Sequence, residues 1–321
     1  MRKRVLVTYK MPHEGYLELL EHCDVTFPEG ETFTYDEVMA VIDQYDALLS
    51  MYDFPVDKAL IDRGARLRIV SNYAAGFDNV DLAYCTARGI QVANTPGVGA
   101  EATADLAMGL MLAAARNISW CDRHMRSPAG LEWSLMGYLG VSLYGKRLGI
   151  IGLGRIGKAF ARRAMASGME VVYCNNLRRM CAEEEEALGV RHMELEELLR
   201  TADFVSLNCP HTPVNTHLIG ERELAAMKPS AILINTARGP LVHEAALIDA
   251  LKQGVIRGAA LDVYEFGEEP TPELYALENI VLSPHIGTQT IDVRNDMTRV
   301  ASRNILSFFS GDGPLHRVNT L

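Results

Sequence analysis

The chain has 321 residues, 48% of them apolar and 22% charged, with a formal net charge of −10. That length and balance suit two ordinary globular domains, each with its own core. The acidic balance argues against a nucleic-acid binder that works by neutralising phosphates. The basic start, Met1 to Arg4, precedes too short an apolar run for a signal peptide, and the stretch Leu106 to Ala115 is too short to span a bilayer. Six scattered cysteines without a C-x-x-C pair suit reduced thiols, so a cytoplasmic enzyme is expected.

The first hundred residues alternate apolar runs with helical patterns. Val5–Tyr9, Val25–Phe27, Ala47–Met51, Arg68–Tyr73 and Ile90–Asn94 read as strands. Gly15–His22, Tyr35–Gln44 and Val56–Arg63 read as helices. Such alternation implies a parallel α/β sheet. The run Asn94 to Gly99 breaks the pattern and is a candidate hinge. Glu101 to Ile118, rich in Ala, Leu and Met, predicts a helix buried all round, between domains or at a subunit interface. The polar connection Cys121 to Gly145 is left unassigned.

A second alternating array starts at Leu148. Strands are expected at Val171–Cys174, Phe204–Asn208, Ile232–Asn235, Gly258–Val263 and Ile280–Ser283, with helices including Glu194–Arg200 and Glu244–Gln253. The acidic run Glu183 to Glu186 reads as a solvated helix face, and Ile291 to Phe309 as a long helix returning to the first domain. The fold class is therefore α/β with two doubly wound parallel-sheet domains. One covers residues 1–99 plus 288–321, and a dinucleotide-binding domain, 100–287, is inserted into it.

The second array opens with Leu148-Gly149-Ile150-Ile151 feeding G-x-G-x-x-G and then a helix-forming stretch. Strand, glycines and helix in that order are the dinucleotide-binding pattern. Gly152 permits the tight turn, Gly154 lets the backbone approach a pyrophosphate, and Gly157 lets helix and strand pack. Arg155, Ile156 and Gly157 open the helix whose unpaired N–H groups face the phosphates. Cofactor choice is read after the next strand, at Asn175-Asn176-Leu177-Arg178-Arg179. Neutral Asn175 stands where an acid would bind the 2′-hydroxyl of NAD, and Asn176 and Arg178 follow, so NADP(H) is favoured with NAD(H) open. The alternative is that Arg178 and Arg179 begin a solvated turn.

Three further motifs each place a polar side chain just after an apolar strand: Asn235-Thr236-Ala237-Arg238-Gly239, Leu261-Asp262-Val263-Tyr264 and Ser283-Pro284-His285-Ile286-Gly287. In an open parallel sheet those strand ends form the ligand crevice. With Ser71 to Asp81 and Asn94-Thr95-Pro96-Gly97, these motifs make the sequence resemble the D-isomer-specific 2-hydroxyacid dehydrogenase family over nearly its whole length.

The resemblance implies reduction of a small 2-keto acid by hydride from a nicotinamide cofactor, in a cytoplasmic homodimer. Arg238 would grip the carboxylate and carbonyl through its planar donor fork. His285 would be the general acid. Asp262 would accept from the nicotinamide amide, and Pro210, Thr216, Thr236, Ala237 and Gly287 would line the cofactor cleft. Backbone N–H groups near Ala75 and Gly76 would hold the substrate carboxylate from the other domain. Met51, Tyr52 and Phe54 either shape the side-chain pocket or are core contacts.

One departure stands out. The family places a glutamate five residues after the aspartate matching Asp262, to hold the histidine and favour its protonated form. Gly267 stands there, within Tyr264-Glu265-Phe266-Gly267-Glu268-Glu269-Pro270. Glu268 is preferred as the catalytic replacement. The alternatives are Glu269, Glu265 or no carboxylate at all. Two other readings remain open, a cofactor-binding regulator that keeps the dehydrogenase fold and a formate dehydrogenase relative. No His/Cys/carboxylate cluster has metal-ligand spacing, since Leu247 stands where H-E-x-x-H after His243 needs its second histidine.

Overall fold

Apolar runs of a few residues become parallel strands in two separate sheets. The computed structural model describes residues 2–175 and 179–321 and divides into two units, 1–99 with 288–321 and 100–287. In the first unit the elements are β1 (Lys3–Val7), α1 (Leu17–His22), β2 (Cys23–Thr26), α2 (Tyr35–Val41), β3 (Ala47–Met51), α3 (Lys58–Arg63), β4 (Ile69–Tyr73), α4 (Leu82–Ala87) and β5 (Gln91–Ala93). Their sheet order is β2-β1-β3-β4-β5, all parallel. β3 and β4 are buried at every residue, as central strands covered on both faces must be.

The second unit holds α5 (Ala100–Ala115), α6 (Ile118–Met125), β6 (Arg147–Ile151), α7 (Arg155–Ala166), β7 (Glu170–Cys174), α8 (Ala182–Leu188), β8 (Arg191–His192), α9 (Leu195–Thr201), β9 (Phe204–Leu207), α10 (Glu221–Ala226), β10 (Ile232–Asn235), α11 (Glu244–Lys252), β11 (Gly258–Leu261), α12 (Pro272–Tyr275) and β12 (Ile280–Leu282). Its seven-stranded sheet runs β12-β11-β10-β9-β6-β7-β8, again parallel throughout. The order reverses beside β6, the strand before the glycine loop, which is the switch point of a doubly wound sheet. Alternate residues serve opposite cores. Leu148, Ile150, Val171, Tyr173, Ile232 and Ile234 join one cluster, whereas Ile151, Val172, Cys174, Val205 and Leu233 join the other. The last helix, α13 (Ile291–Ser310), belongs to the first unit and packs on β4 and α1.

Two expectations need correction. α5 is not buried on every side. Thr103, Ala104, Ala107, Leu110, Met111 and Ala115 are covered, but Glu101, Asp105 and Gly109 are exposed. Glu101 and Asp105 accept from Arg162 and Arg163 of α7 at 2.6–2.7 Å, so the outer edge is an ion-pair seam. α5 also ends at Ala115, and Asn117, at φ 56°, turns the chain into α6, which occupies the start of the unassigned segment. The acidic run on α8 is not uniformly solvated either. Glu185 accepts from Tyr173 Oη at 2.8 Å and Arg179 Nε at 3.3 Å, because the buried Tyr173 needs a partner for its hydroxyl.

Candidate functional site

The site is built on the carboxyl ends of β6, β9, β10, β11 and the turn after β12 in the second unit. Gly152 follows β6 with φ 99°, and a Cβ there would lie 2.5 Å from the backbone N of Cys209. Only glycine lets the turn pass so close to the β9 loop. Gly154 is the N-cap of α7, supplies no side-chain cap, and has open space around a hypothetical Cβ. Arg155, Ile156 and Gly157 form the first turn of α7, so their N–H groups stand where a helix leaves its donors unsatisfied. A Cβ on Gly157 would meet Gly152 O at 2.5 Å, which makes this the tight helix-to-strand contact.

Asn175 follows β7, and its Oδ1 accepts from Leu153 N at 2.7 Å, bracing the glycine loop. Asn176 and Arg178 lie outside the described residues. Pro210 and Thr216 are on the exposed loop after β9. Pro210 O accepts from Asn215 Nδ2 at 2.9 Å, and Thr216 Oγ1 lies 2.8 Å from His211 Nε2. Thr236 and Ala237 are buried after β10. Among the described residues, the Thr236 hydroxyl and Asn208 Oδ1 are buried polar atoms without a partner. Buried polar atoms normally have one, so this pair fits a polar ligand in the cleft. Open amides at α7, a glycine turn and orphaned polar atoms together fit a dinucleotide.

Arg238 follows β10 and is half-buried, with Nη1 donating to Ala237 O at 2.7 Å. Asp262, 1% exposed, directly follows β11 and organises the histidine turn. Its Oδ1 accepts from Ser283 Oγ at 2.6 Å and Ile286 N at 2.9 Å, and its Oδ2 from Gly287 N at 3.0 Å. Burial pushes the Asp262 carboxyl above the usual carboxylate range, against the pull of those donors. Gly287 O in turn accepts from Thr103 Oγ1 at 3.2 Å. His285 sits in this turn at φ 53°, a left-handed conformation uncommon for a residue with a side chain.

His285 Nδ1 lies 2.8 Å from Glu268 Oε2. Gly267, at φ 142°, turns the chain immediately before Glu268. Glu265 points elsewhere, with Oε1 2.5 Å from His217 Nε2 and Oε2 accepting from Glu244 N at 2.7 Å. Glu269 is exposed.

In the first unit Ala75 and Gly76 lie in the turn after β4. Ala75 O accepts from Asn94 Nδ2 at 2.7 Å and Gly76 O from Asn72 Nδ2 at 3.0 Å. Asn72 is fully buried, and its Oδ1 accepts from Ser50 Oγ and Asn79 Nδ2, while Asn79 also donates to Met51 O and Phe54 O. Sequence reasoning missed this asparagine pair, although both residues stood inside a quoted motif. Met51 and Phe54 side chains are in the first unit's core.

Comparison with known proteins finds full-length relatives of this chain. Residues 108–287 match the family model described as D-isomer specific 2-hydroxyacid dehydrogenase, NAD binding domain. A glyoxylate reductase of Thermococcus gammatolerans is 45% identical across 99% of this chain and 96% of its own length. Among solved structures, an NADPH-dependent glyoxylate/hydroxypyruvate reductase from Sinorhizobium meliloti, in complex with NADP and malonate, superposes with a TM-score of 0.86 at 31% identity, covering 99% of this chain and 97% of that one. The holo form of Rhodotorula graminis D-mandelate dehydrogenase gives 0.90 at 31% identity, covering 100% and 98%. The chain belongs to the D-isomer-specific 2-hydroxyacid dehydrogenase family and is an NAD(P)-dependent oxidoreductase.

Proposed function

We propose that this protein reduces a small 2-keto acid of the glyoxylate or hydroxypyruvate class to the D-2-hydroxy acid. The observation that carries the reading is the His285–Glu268 pair, held at a strained turn by buried Asp262 at the edge of the parallel sheet. A nicotinamide cofactor, held at the glycine loop and α7, would supply the hydride. Glu268 accepts from Nδ1 of His285 and so directs the transferable proton to Nε2, from which it passes to the carbonyl oxygen. Arg238 binds the substrate carboxylate and polarises the carbonyl. Asp262 accepts from the nicotinamide amide. The preferred cofactor is NADP(H). In support, position 175 is a neutral asparagine whose oxygen is committed to Leu153 N, rather than an acid that would repel a 2′-phosphate.

The working unit is a homodimer. In support, Trp133, Leu135, Met136 and Tyr144 are 71–87% exposed on one segment of the second unit, large apolar side chains that a subunit interface would cover.

Purified protein, NADPH or NADH and a panel of 2-keto acids, followed by absorbance loss, test the reading. Oxidation of NADPH by glyoxylate or hydroxypyruvate, reduced at least 100-fold in His285→Ala, is the expected result. Preference for NADH would remove the 2′-phosphate argument alone. Cofactor binding without turnover of any acceptor would leave the regulator, and reduction of added NAD(P)+ by formate, read as an absorbance gain, would leave the third reading.

A further inference from the structure

The carboxylate of Glu244 is 3% exposed, at the first residue of α11, and belongs to no step described above. A carboxylate buried to that degree must be hydrogen-bonded to persist. Its Oε2 accepts from Glu265 N at 3.2 Å and its Oε1 from Thr271 N at 3.3 Å. Those two residues bracket the loop 266–270, which carries Glu268 at its centre. The clamp is reciprocal, because Glu265 Oε2 accepts from Glu244 N at 2.7 Å. That N–H is an orphan donor at the start of α11, and His243 supplies no side-chain cap for it. Glu265 Oε1 is held in turn at 2.5 Å from His217 Nε2, and the His217 ring packs on His243 with centroids 4.5 Å apart.

Between these anchors the loop is pinned once from within, by an antiparallel bridge from Gly267 back to Tyr264, and Glu268 lies beyond that bridge. Phe266 is 73% exposed, and Gly267 adopts a φ that only glycine tolerates readily. Free, such a loop would spread Glu268 over many positions, and ordering it costs entropy residue by residue. The turn bearing Arg238 abuts the same anchor, since a Cβ on Gly239 would lie 1.7 Å from Tyr264 O. The two loops that present Arg238 and Glu268 therefore share one backbone contact, and Glu244 stands behind it.

We propose that Glu244 is a positioning residue for the reaction, whose buried carboxylate ties down both ends of the loop that places Glu268 against His285. The inference rests on Glu268–His285 as the proton-donating pair. It asks more of Glu244 than stability, because a small misplacement of a catalytic group costs rate out of proportion to the displacement.

Two variants isolate the clamp. Glu244→Gln keeps the shape but turns one acceptor into a donor facing a backbone N–H, so one tether is lost. Thr271→Pro removes the N–H that Oε1 accepts and puts the ring Cδ in its place, so the carboxylate is pushed off this anchor while the Glu265 anchor keeps its donor. Thr271 has φ −61°, which proline shares, and its hydroxyl has no partner to lose. Glu244→Gln is expected to lower kcat about tenfold with KM for both keto acid and cofactor changed less than about twofold. Thr271→Pro is expected to lower kcat about threefold with the same split, and it carries the test if Glu244→Gln does not fold. In a Glu268→Gln background either substitution should cost less than about a further twofold, since its target is already gone. Unchanged kcat, a loss confined to KM, or a full multiplicative loss in the Glu268→Gln background would overturn the proposal. Wild-type kcat in Glu268→Gln itself would instead remove the pairing on which the proposal rests, whatever Glu244→Gln does.

Discussion

The two units share a frame at the amino ends of their strands and part company at the carboxyl ends. In the first, Arg4 N donates to Asp46 Oδ2 at 3.0 Å, and Arg66 holds the same carboxylate at 3.0 Å. In the second, Arg147 N donates to Asp203 Oδ2 at 2.9 Å, and Lys228 holds it at 2.9 Å. Each aspartate precedes a strand beside the unit's first strand, so a single device anchors both sheets. At the other end, Thr34, Asp57 and Asp81 cap α2, α3 and α4 with their own side chains. α7 begins at bare Gly154, and its first N–H groups receive no such cap. Two similar doubly wound sheets thus differ in whether a helix N-terminus is closed by its own chain or left open for an anion. Binding chemistry lies in those loop residues and not in the sheet.

The sharpest way to break the comparison is to close the open end. Gly154 has φ −84° and free space for a side chain, so Gly154→Asp introduces a cap of the first unit's kind without a clash. The fold should gain a few tenths of a kcal/mol from the new cap. Cofactor affinity, read by NADPH fluorescence titration, should fall at least 100-fold, because a carboxylate would occupy the phosphate position. Retained affinity in the folded variant would show that α7 is not where the pyrophosphate sits.

The shared device can be tested with acid. Burial pushes the Asp46 and Asp203 carboxyls up, but the backbone N–H and the paired cation outweigh it, and both lie below the usual carboxylate range. A carboxyl lowered by folding adds stability that is fully present above its unfolded value, near pH 4, and is lost as pH falls through the folded one. Asp46→Asn and Asp203→Asn should each cost about 2 kcal/mol at pH 7, the scale of hydrogen bonds to a charged group. The deficit against the parent should shrink at pH 3. Hydrogen exchange reads each sheet separately and should place each loss in the mutated unit. A deficit that persists undiminished in acid would mean that packing, and not charge, holds these corners.

Much of the frame was legible because central parallel strands are continuous apolar runs. Ala47–Met51 and Ile232–Asn235 coincide with their strands at both ends. α6 was not legible, because it is only eight residues long and none of them is buried within its own unit, Ile118 and Met125 included. At the site, residues placed directly after strands could be named from motifs, since the topology brings strand ends together. Their supports could not. Asp262 reaches Ser283, Ile286 and Gly287 across 21 to 25 residues, and Glu244 reaches Glu265 and Thr271 across 21 and 27. Such bonds depend on tertiary placement and leave no periodic trace. Around Gly267 the sequence favoured Glu268 but left Glu265, Glu269 or no carboxylate open, because one glycine can redirect a loop without any change in pattern.

The smallest effect lies in the first unit's own caps. Thr34 Oγ1 accepts from Glu37 N at 3.3 Å, and Glu37 Oε2 accepts from Thr34 N at 2.7 Å, a reciprocal box on an exposed turn. Water can replace part of it, so Thr34→Ala should cost about 1 kcal/mol, at the modest end for a lost cap. Hydrogen exchange should show the loss at α2 and its neighbours, with NADPH affinity unchanged within about twofold. That contrast with Gly154→Asp is the point of the pair. Removing a cap from a closed helix should touch stability and spare binding, whereas adding one to the open helix should spare stability and abolish binding. If Thr34→Ala weakened the cofactor as well, the caps of the first unit would be coupled to the phosphate site, and the division of labour between the two units would fail.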